Sequence, residues 1–212
     1  MLSGFYKSRW VLTAETLLLT IFPLVLLQFF PEWIHYRTKV FAIGLIYVAF
    51  FVWSQKISCR NFGCRFDNFF SAVKAILPFT ILAISVTALL FYFLRPLISI
   101  TLLIEGIHRR PSFVIVMFRY FFISVPLQEI IYRSYLINRV GLVSQSKRFI
   151  QGYSAVIFML IHTPINNIFL TLGTLILGWL WVGHFLKYRN LFSVIVSHTV
   201  IGLVYLFLMI NG

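Results

Sequence analysis

An all-α, polytopic bundle of about seven transmembrane helices is the fold class this sequence predicts, and three observations predict it. Of 212 residues, 60% are hydrophobic and only 11% are charged, with a mean hydropathy of +0.94. Ordinary soluble domains carry about 25% charged residues, so this surface is too apolar for water. Apolar runs near the ~20 residues that a bilayer-crossing helix needs recur along the chain. These runs are continuous and rich in Leu, Ile and Phe, whereas a transmembrane barrel shows alternating polarity in segments of about ten residues.

Taken in order, the first run is Val11–Phe30, behind Lys7 and Arg9. It is too long for the apolar core of a signal peptide, and no small-x-small cleavage site follows, so it reads as an uncleaved span. Val40–Gln55 is a short second run, and Ala72–Leu94 is a full-length third. Between them, Ser58–Phe70 sets Arg60 and Arg65 among Phe62, Phe66, Phe69 and Phe70, as an interfacial helix would. Ser112–Asn138 is the fourth run. Phe149–His162 is a short fifth, which either stops or continues past Pro164. Ile168–Lys187 and Leu191–Ile210 complete the set, and no repeat or linker divides residues 1–212, which read as a single membrane domain.

The net charge of +13 sits mostly between the apolar runs. No aromatic-basic stripe or groove-binding motif appears, so the expected partner is an anionic lipid headgroup and not nucleic acid. With the N-terminus inside, inner segments hold eleven basic residues, among them Lys7, Arg60, Arg139 and Arg189, and outer segments hold five: Arg37, Lys39, Arg95, Arg109 and Arg110. That bias predicts a cytoplasmic N-terminus and, with an odd number of spans, an outer C-terminus, in a membrane such as the bacterial inner membrane. Cys59 and Cys64 share one loop with no nearby histidine, which fits free thiols better than a zinc site or a disulfide framework.

Ionisable or strongly polar residues inside spans are costly and mark functional positions by default. Those that stand out are Gln128, Glu129, Arg133, His162 and His198. At 1.5 Å per residue, Glu129 lies roughly 15 Å, His162 roughly 20 Å and His198 roughly 12 Å above the inner ends of their helices. Three residues distant in sequence thus fall at similar depth. Glu129 and Arg133 are i,i+4 and share a face, where the arginine helps keep the carboxylate ionised. Pro126 is placed to bend the same helix. Phe158 precedes His162 by one turn, and Asn166 follows it by one turn if the helix continues through Pro164. Gly202 follows His198 by one turn and permits close helix approach. Helix pairing is the plainer alternative role for both histidines. Arg119 reads as a snorkelling or helix-pairing residue, His35 and His108 as loop histidines, and His184 as interfacial.

The run Gln128-Glu129-Ile130-Ile131-Tyr132-Arg133, then Phe158-Met159-Leu160-Ile161-His162, then His198, resembles the CPBP intramembrane proteases. That family includes the type II CAAX prenyl endopeptidases and bacteriocin-processing proteins. Its pattern is EExxxR, FxxxH and a late histidine usually followed at i+4 by asparagine. The resemblance runs from Pro126 to about Gly202 and implies core helices in 112–210 with accessory spans in 1–95. Two positions depart from the pattern. Gln128 stands where the family usually carries its catalytic carboxylate, and Gly202 stands where it carries the asparagine.

The resemblance implies an intramembrane endopeptidase acting on a membrane-associated protein or peptide near a terminal processing signal. Glu129, helped by His162, is the expected general base, and His198 the expected oxyanion donor. Asn166 or Gln128 is the expected substitute for the missing amide donor, and Arg133 sets the charge balance. The alternative is an inactive, peptide-binding or immunity protein on the same fold. No cofactor is expected; the alternative is zinc held by Glu129, His162 and His198, although no HExxH helix is present. Paired broken helices in two related halves, which would suggest a transporter, are not visible.

Overall fold

The computed structural model describes residues 2–30, 37–94, 113–165 and 167–211. His35, His108, Asn166 and the outer basic residues Arg95, Arg109 and Arg110 lie outside them. Among the described residues there is no strand.

The short helix α1, Leu2–Tyr6, leads into α2, residues 9–29, in which a π-helical turn at Leu17–Ile21 joins Arg9–Thr16 to Phe22–Phe29. Helix α3 is Arg37–Ser54, α4 is the single turn Cys59–Phe62, and α5 is Phe69–Leu94. Helix α6 covers residues 113–141 and contains two π-helical stretches, Tyr120–Ser124 and Ile130–Tyr135. Helices α7, α8 and α9 are Lys147–Leu160, Ile168–Tyr188 and Leu191–Asn211.

Five of these are long and apolar enough to cross a membrane: Arg9–Leu26 in α2, Phe69–Phe93 in α5, Val114–Gly141 in α6, α8, and Leu191–Leu208 in α9. The two expected spans that fall short are those with the shortest runs. Helix α3 offers only Ala42–Ser54 as an apolar stretch. Helix α7, with 14 residues, is about 21 Å long at 1.5 Å per residue, against a hydrocarbon core of roughly 30 Å. It stops at Leu160, and a 3₁₀ turn at Thr163–Ile165 carries Pro164. The proline therefore ends the helix, and His162 sits in the turn beyond it.

The expected interfacial helix over Ser58–Phe70 is not formed. Cys59–Phe62 makes one helical turn, which ends because Gly63 takes a left-handed conformation (φ +97°), and helix resumes only at Phe69, where α5 begins. The glycine is required twice over: a Cβ there would lie 2.6 Å from the Phe185 ring. Leu191 N donates to Gly63 O at 2.9 Å, fixing this loop to the start of α9. Asn190 Nδ2 donates to Arg65 O, Asn68 Nδ2 to Tyr188 O and Asn138 Nδ2 to Asn61 O, so one end of the bundle closes in a hydrogen-bonded rim. Hydrogen bonds from Arg65 hold the Asp67 carboxyl well below the usual carboxylate range, and Arg60 adds to that pull. Cys59 and Cys64 are free and exposed on this loop.

The packing follows small residues and polar pairs. On α8, Gly178 lies so close to Ala155 of α7 that a Cβ would approach the Ala155 backbone to 3.2 Å. Helix α5 runs along α9, joined by a 2.7 Å hydrogen bond between Thr80 and Ser197. The N-terminal helices are tied to the rest by Arg139, which is fully buried and not a loop charge as its place at the end of an apolar run suggests. Its guanidinium donates to Glu15 Oε2 at 2.6 Å and to Tyr6 O at 2.5 Å, while the Tyr47 hydroxyl donates to Glu15 Oε1. One ion pair thus joins α1, α2, α3 and α6.

Two outcomes test this account. Arg139→Met removes the counter-charge of the largely buried Glu15, leaving it only the Tyr47 hydroxyl, and should lower the unfolding free energy in detergent by about 3 kcal/mol, with part regained in Glu15→Gln/Arg139→Met. Gly63→Ala should lower the melting temperature, since it is strained by both backbone and contact.

Candidate active site

Helix α6 supplies the acid. Glu129 is the last residue of the α-helical turn Val125–Glu129, which starts with Pro126 near its N-terminus. A π-helical stretch lies on either side. Proline cannot complete the helical hydrogen-bond ladder, and a wider π turn before it accommodates the break. The second stretch, Ile130–Tyr135, frees the Tyr132 carbonyl to accept a hydrogen bond from Ser154 Oγ of α7 at 2.8 Å. Such π turns often occur at functional sites.

Glu129 is wholly enclosed. His198 Nδ1 of α9 donates to Glu129 Oε1 at 2.7 Å, and Arg133 Nε stands 3.2 Å from Oε2, a close ionic contact without hydrogen-bond alignment. Oε1 is therefore committed to a hydrogen bond, and Oε2 faces the guanidinium without one. Arg133 is equally enclosed, and its guanidinium lies over the Phe158 ring at 4.2 Å and faces Trp181 at 5.5 Å. A desolvated guanidinium on aromatic faces recovers part of the attraction it lost with water.

His198 is held from several sides. Trp181 of α8 stacks on it, with ring centres 4.8 Å apart and planes at 30°. The Trp181 indole N–H donates to Ser197 Oγ at 3.0 Å, and Ser197 in turn bonds Thr80, so α8 and α5 brace α9 beside this ring. Phe158 meets it edge-on at 5.6 Å and Tyr120 at 6.1 Å. Phe158 also contacts His162, with ring centres 4.7 Å apart. His162 Nδ1 donates to Phe158 O at 2.8 Å. A carbonyl can only accept, so Nδ1 carries the proton and Nε2 of the neutral ring keeps its lone pair.

The expected residues are thus distributed as follows. Glu129, Arg133 and His198 form one bonded cluster, and His162 joins it across Phe158 within electrostatic range of all three. Gln128 points elsewhere: its Nε2 donates to Ser124 Oγ at 2.9 Å, and its Oε1 is buried without a partner. Arg119 is exposed, and His184 bonds Ser193 Oγ at 3.0 Å, away from the cluster. Among the described residues no three His, Cys, Asp or Glu side chains are grouped as ligands of one metal ion.

Trp181 and Tyr120 were not legible as site residues, because nothing in an aromatic-rich chain separates two rings from the lipid-facing majority. Glu15 and Arg139 were legible in principle, since the rule applied to Glu129 applies to any acid inside an apolar run.

These features define a helical membrane protein with a buried carboxylate–imidazole site. Residues 110–204 match the family model described as type II CAAX prenyl endopeptidase Rce1-like. The matched residues carry the three motifs, and what they are similar to is a family of intramembrane proteases. No curated protein and no solved structure matches the chain.

The enclosed pair yields a direct test. Glu129→Gln leaves Arg133 as an unpaired buried cation and should cost about 3 kcal/mol of stability. Glu129→Gln/Arg133→Met should recover much of that loss, measured as unfolding free energy in detergent. Additive losses would mean the two groups are not coupled.

Proposed function

We propose that this chain is an intramembrane endopeptidase that hydrolyses a membrane-associated protein or peptide near a terminal processing signal. The observation that carries the reading is the 2.7 Å hydrogen bond from His198 Nδ1 to the enclosed Glu129 carboxylate. It commits Nδ1 and leaves Nε2 as the reactive nitrogen of a ring whose positive charge, once it takes a second proton, is offset by the carboxylate. This is the logic of carboxylate–imidazole pairs in hydrolases generally.

Two imidazoles in different settings suit two roles. His162 has a neutral carbonyl behind Nδ1, and its Nε2 accepts the proton of an attacking water. His198, with a carboxylate behind it, presents Nε2–H to the substrate carbonyl oxygen as that oxygen gains charge. Water oxygen bonds to the carbonyl carbon, the C–N bond then breaks, and the proton held by His162 passes to the departing amine. Glu129 acts here by holding and charge-balancing His198. Its Oε1 is taken up by His198 and its Oε2 faces Arg133, so this reading gives the direct base role to His162 instead. Arg133 in turn balances Glu129.

A second reading rests on Gln128, whose amide takes no proton and is bonded to Ser124. On that reading the fold binds a peptide without cleaving it. The purified protein in detergent or nanodiscs, offered quenched fluorescent peptides, separates the two. The peptidase reading expects turnover that falls by roughly 100-fold or more in His162→Ala and His198→Ala, a typical contribution of a positioned acid or base. Peptide binding without turnover, together with turnover gained in Gln128→Glu, would establish the binding protein instead.

A further inference from the structure

Gly202 lies one turn beyond His198 on α9, on the same face, and the space its side chain would fill is occupied. A Cβ at 202 would lie 1.8 Å from the Tyr120 hydroxyl oxygen, 2.4 Å from its Cζ and 2.7 Å from its Cε1. The tip of Tyr120, reaching across from α6, therefore stands where a residue at 202 would begin its side chain. The ring meets the His198 ring edge-on, with planes at 83°. No described residue takes a hydrogen bond from its hydroxyl. At membrane depth a hydroxyl without a partner is costly, so its location is best accounted for by a partner that arrives with the substrate.

We propose that the Tyr120 hydroxyl is a hydrogen-bond donor of this site, directed at the same substrate carbonyl oxygen as His198 Nε2. The inference rests on the peptidase reading and adds a second donor to it. A phenolic O–H donates without carrying a charge and is held on a ring with few degrees of freedom, which suits a pre-positioned oxyanion contact. The glycine is the other half of the device. Any larger residue at 202 pushes the phenol away, so the absence of a side chain on α9 and the presence of a hydroxyl on α6 form one arrangement. The π-helical stretch that begins at Tyr120 sets where on α6 that phenol emerges.

The test uses the full chain with quenched peptides. Tyr120→Phe keeps the ring and removes the donor; kcat should fall by roughly 100-fold, as for loss of one oxyanion donor, with KM and melting temperature nearly unchanged. Tyr120→Ala should lose the same activity, and Tyr120→Ala/Gly202→Asn should regain part of it, because a carboxamide N–H enters the vacated volume. A Tyr120→Phe protein that cleaves like the wild type overturns this inference and leaves the peptidase reading intact. Activity and melting temperature falling together, with no gain in the double variant, would show that Tyr120 only packs, and also overturns it. A wild-type chain that cleaves no peptide at all removes the peptidase reading and this inference with it.

Discussion

A carboxylate taken out of water must have its charge answered by the protein around it, because the apolar interior supplies nothing else. Glu129 sets that requirement for this fold. Its two oxygens draw Arg133 from one turn along α6 and His198 from α9. Each partner then needs its own surroundings: aromatic faces for the guanidinium and a stacked indole for the imidazole. Phe158 of α7 and Trp181 of α8 meet both needs, so the enclosure of one acid arranges four helices. The Ser197–Thr80 contact extends the arrangement to α5. The same group that orients the candidate chemistry thus also specifies how the helices pack, and the two roles are inseparable at this position.

The division between the two histidines follows from what lies behind each ring. His162, beyond the end of α7, leans on a backbone carbonyl of that helix, and His198 on a carboxylate. Helix α7 ends at Leu160 because Pro164 cannot extend it, so a short helix and not a full span sets His162 beside Phe158. The shortfall in length that made this segment a doubtful span is what places a histidine in a turn facing the cluster.

Much of this was legible in the primary structure. Continuous apolar runs fixed the helical class and most helix positions, since hydrophobic length is the dominant signal in a bilayer. Glu129, Arg133, His162 and His198 stood out because ionisable groups are rare at that depth. Glu129 and Arg133 were rightly placed on one face by their spacing. Other features were hidden for physical reasons. Hydropathy marks where an apolar run ends but not which way the terminal side chain points, so Arg139 passed for a loop charge. The Phe-rich, basic segment after Ser58 has the composition of an interfacial helix, but one left-handed glycine at 63 stops it after a turn. The π-helical stretches of α6 leave no mark in composition or periodicity. Tyr120 and Trp181 took on their places only when the helices crossed.

The Glu15–Arg139 ion pair spans 124 residues of sequence. Synthesis runs from the N-terminus, so α2 reaches the bilayer carrying an acid whose counter-charge has not yet been made. Until α6 emerges, that carboxylate must be protonated, stay near the aqueous boundary or be sheltered by the insertion machinery. The tie that holds the finished bundle together therefore also makes its assembly sequential: the N-terminal helices can settle only after the segment bearing the candidate acid has entered the membrane beside them.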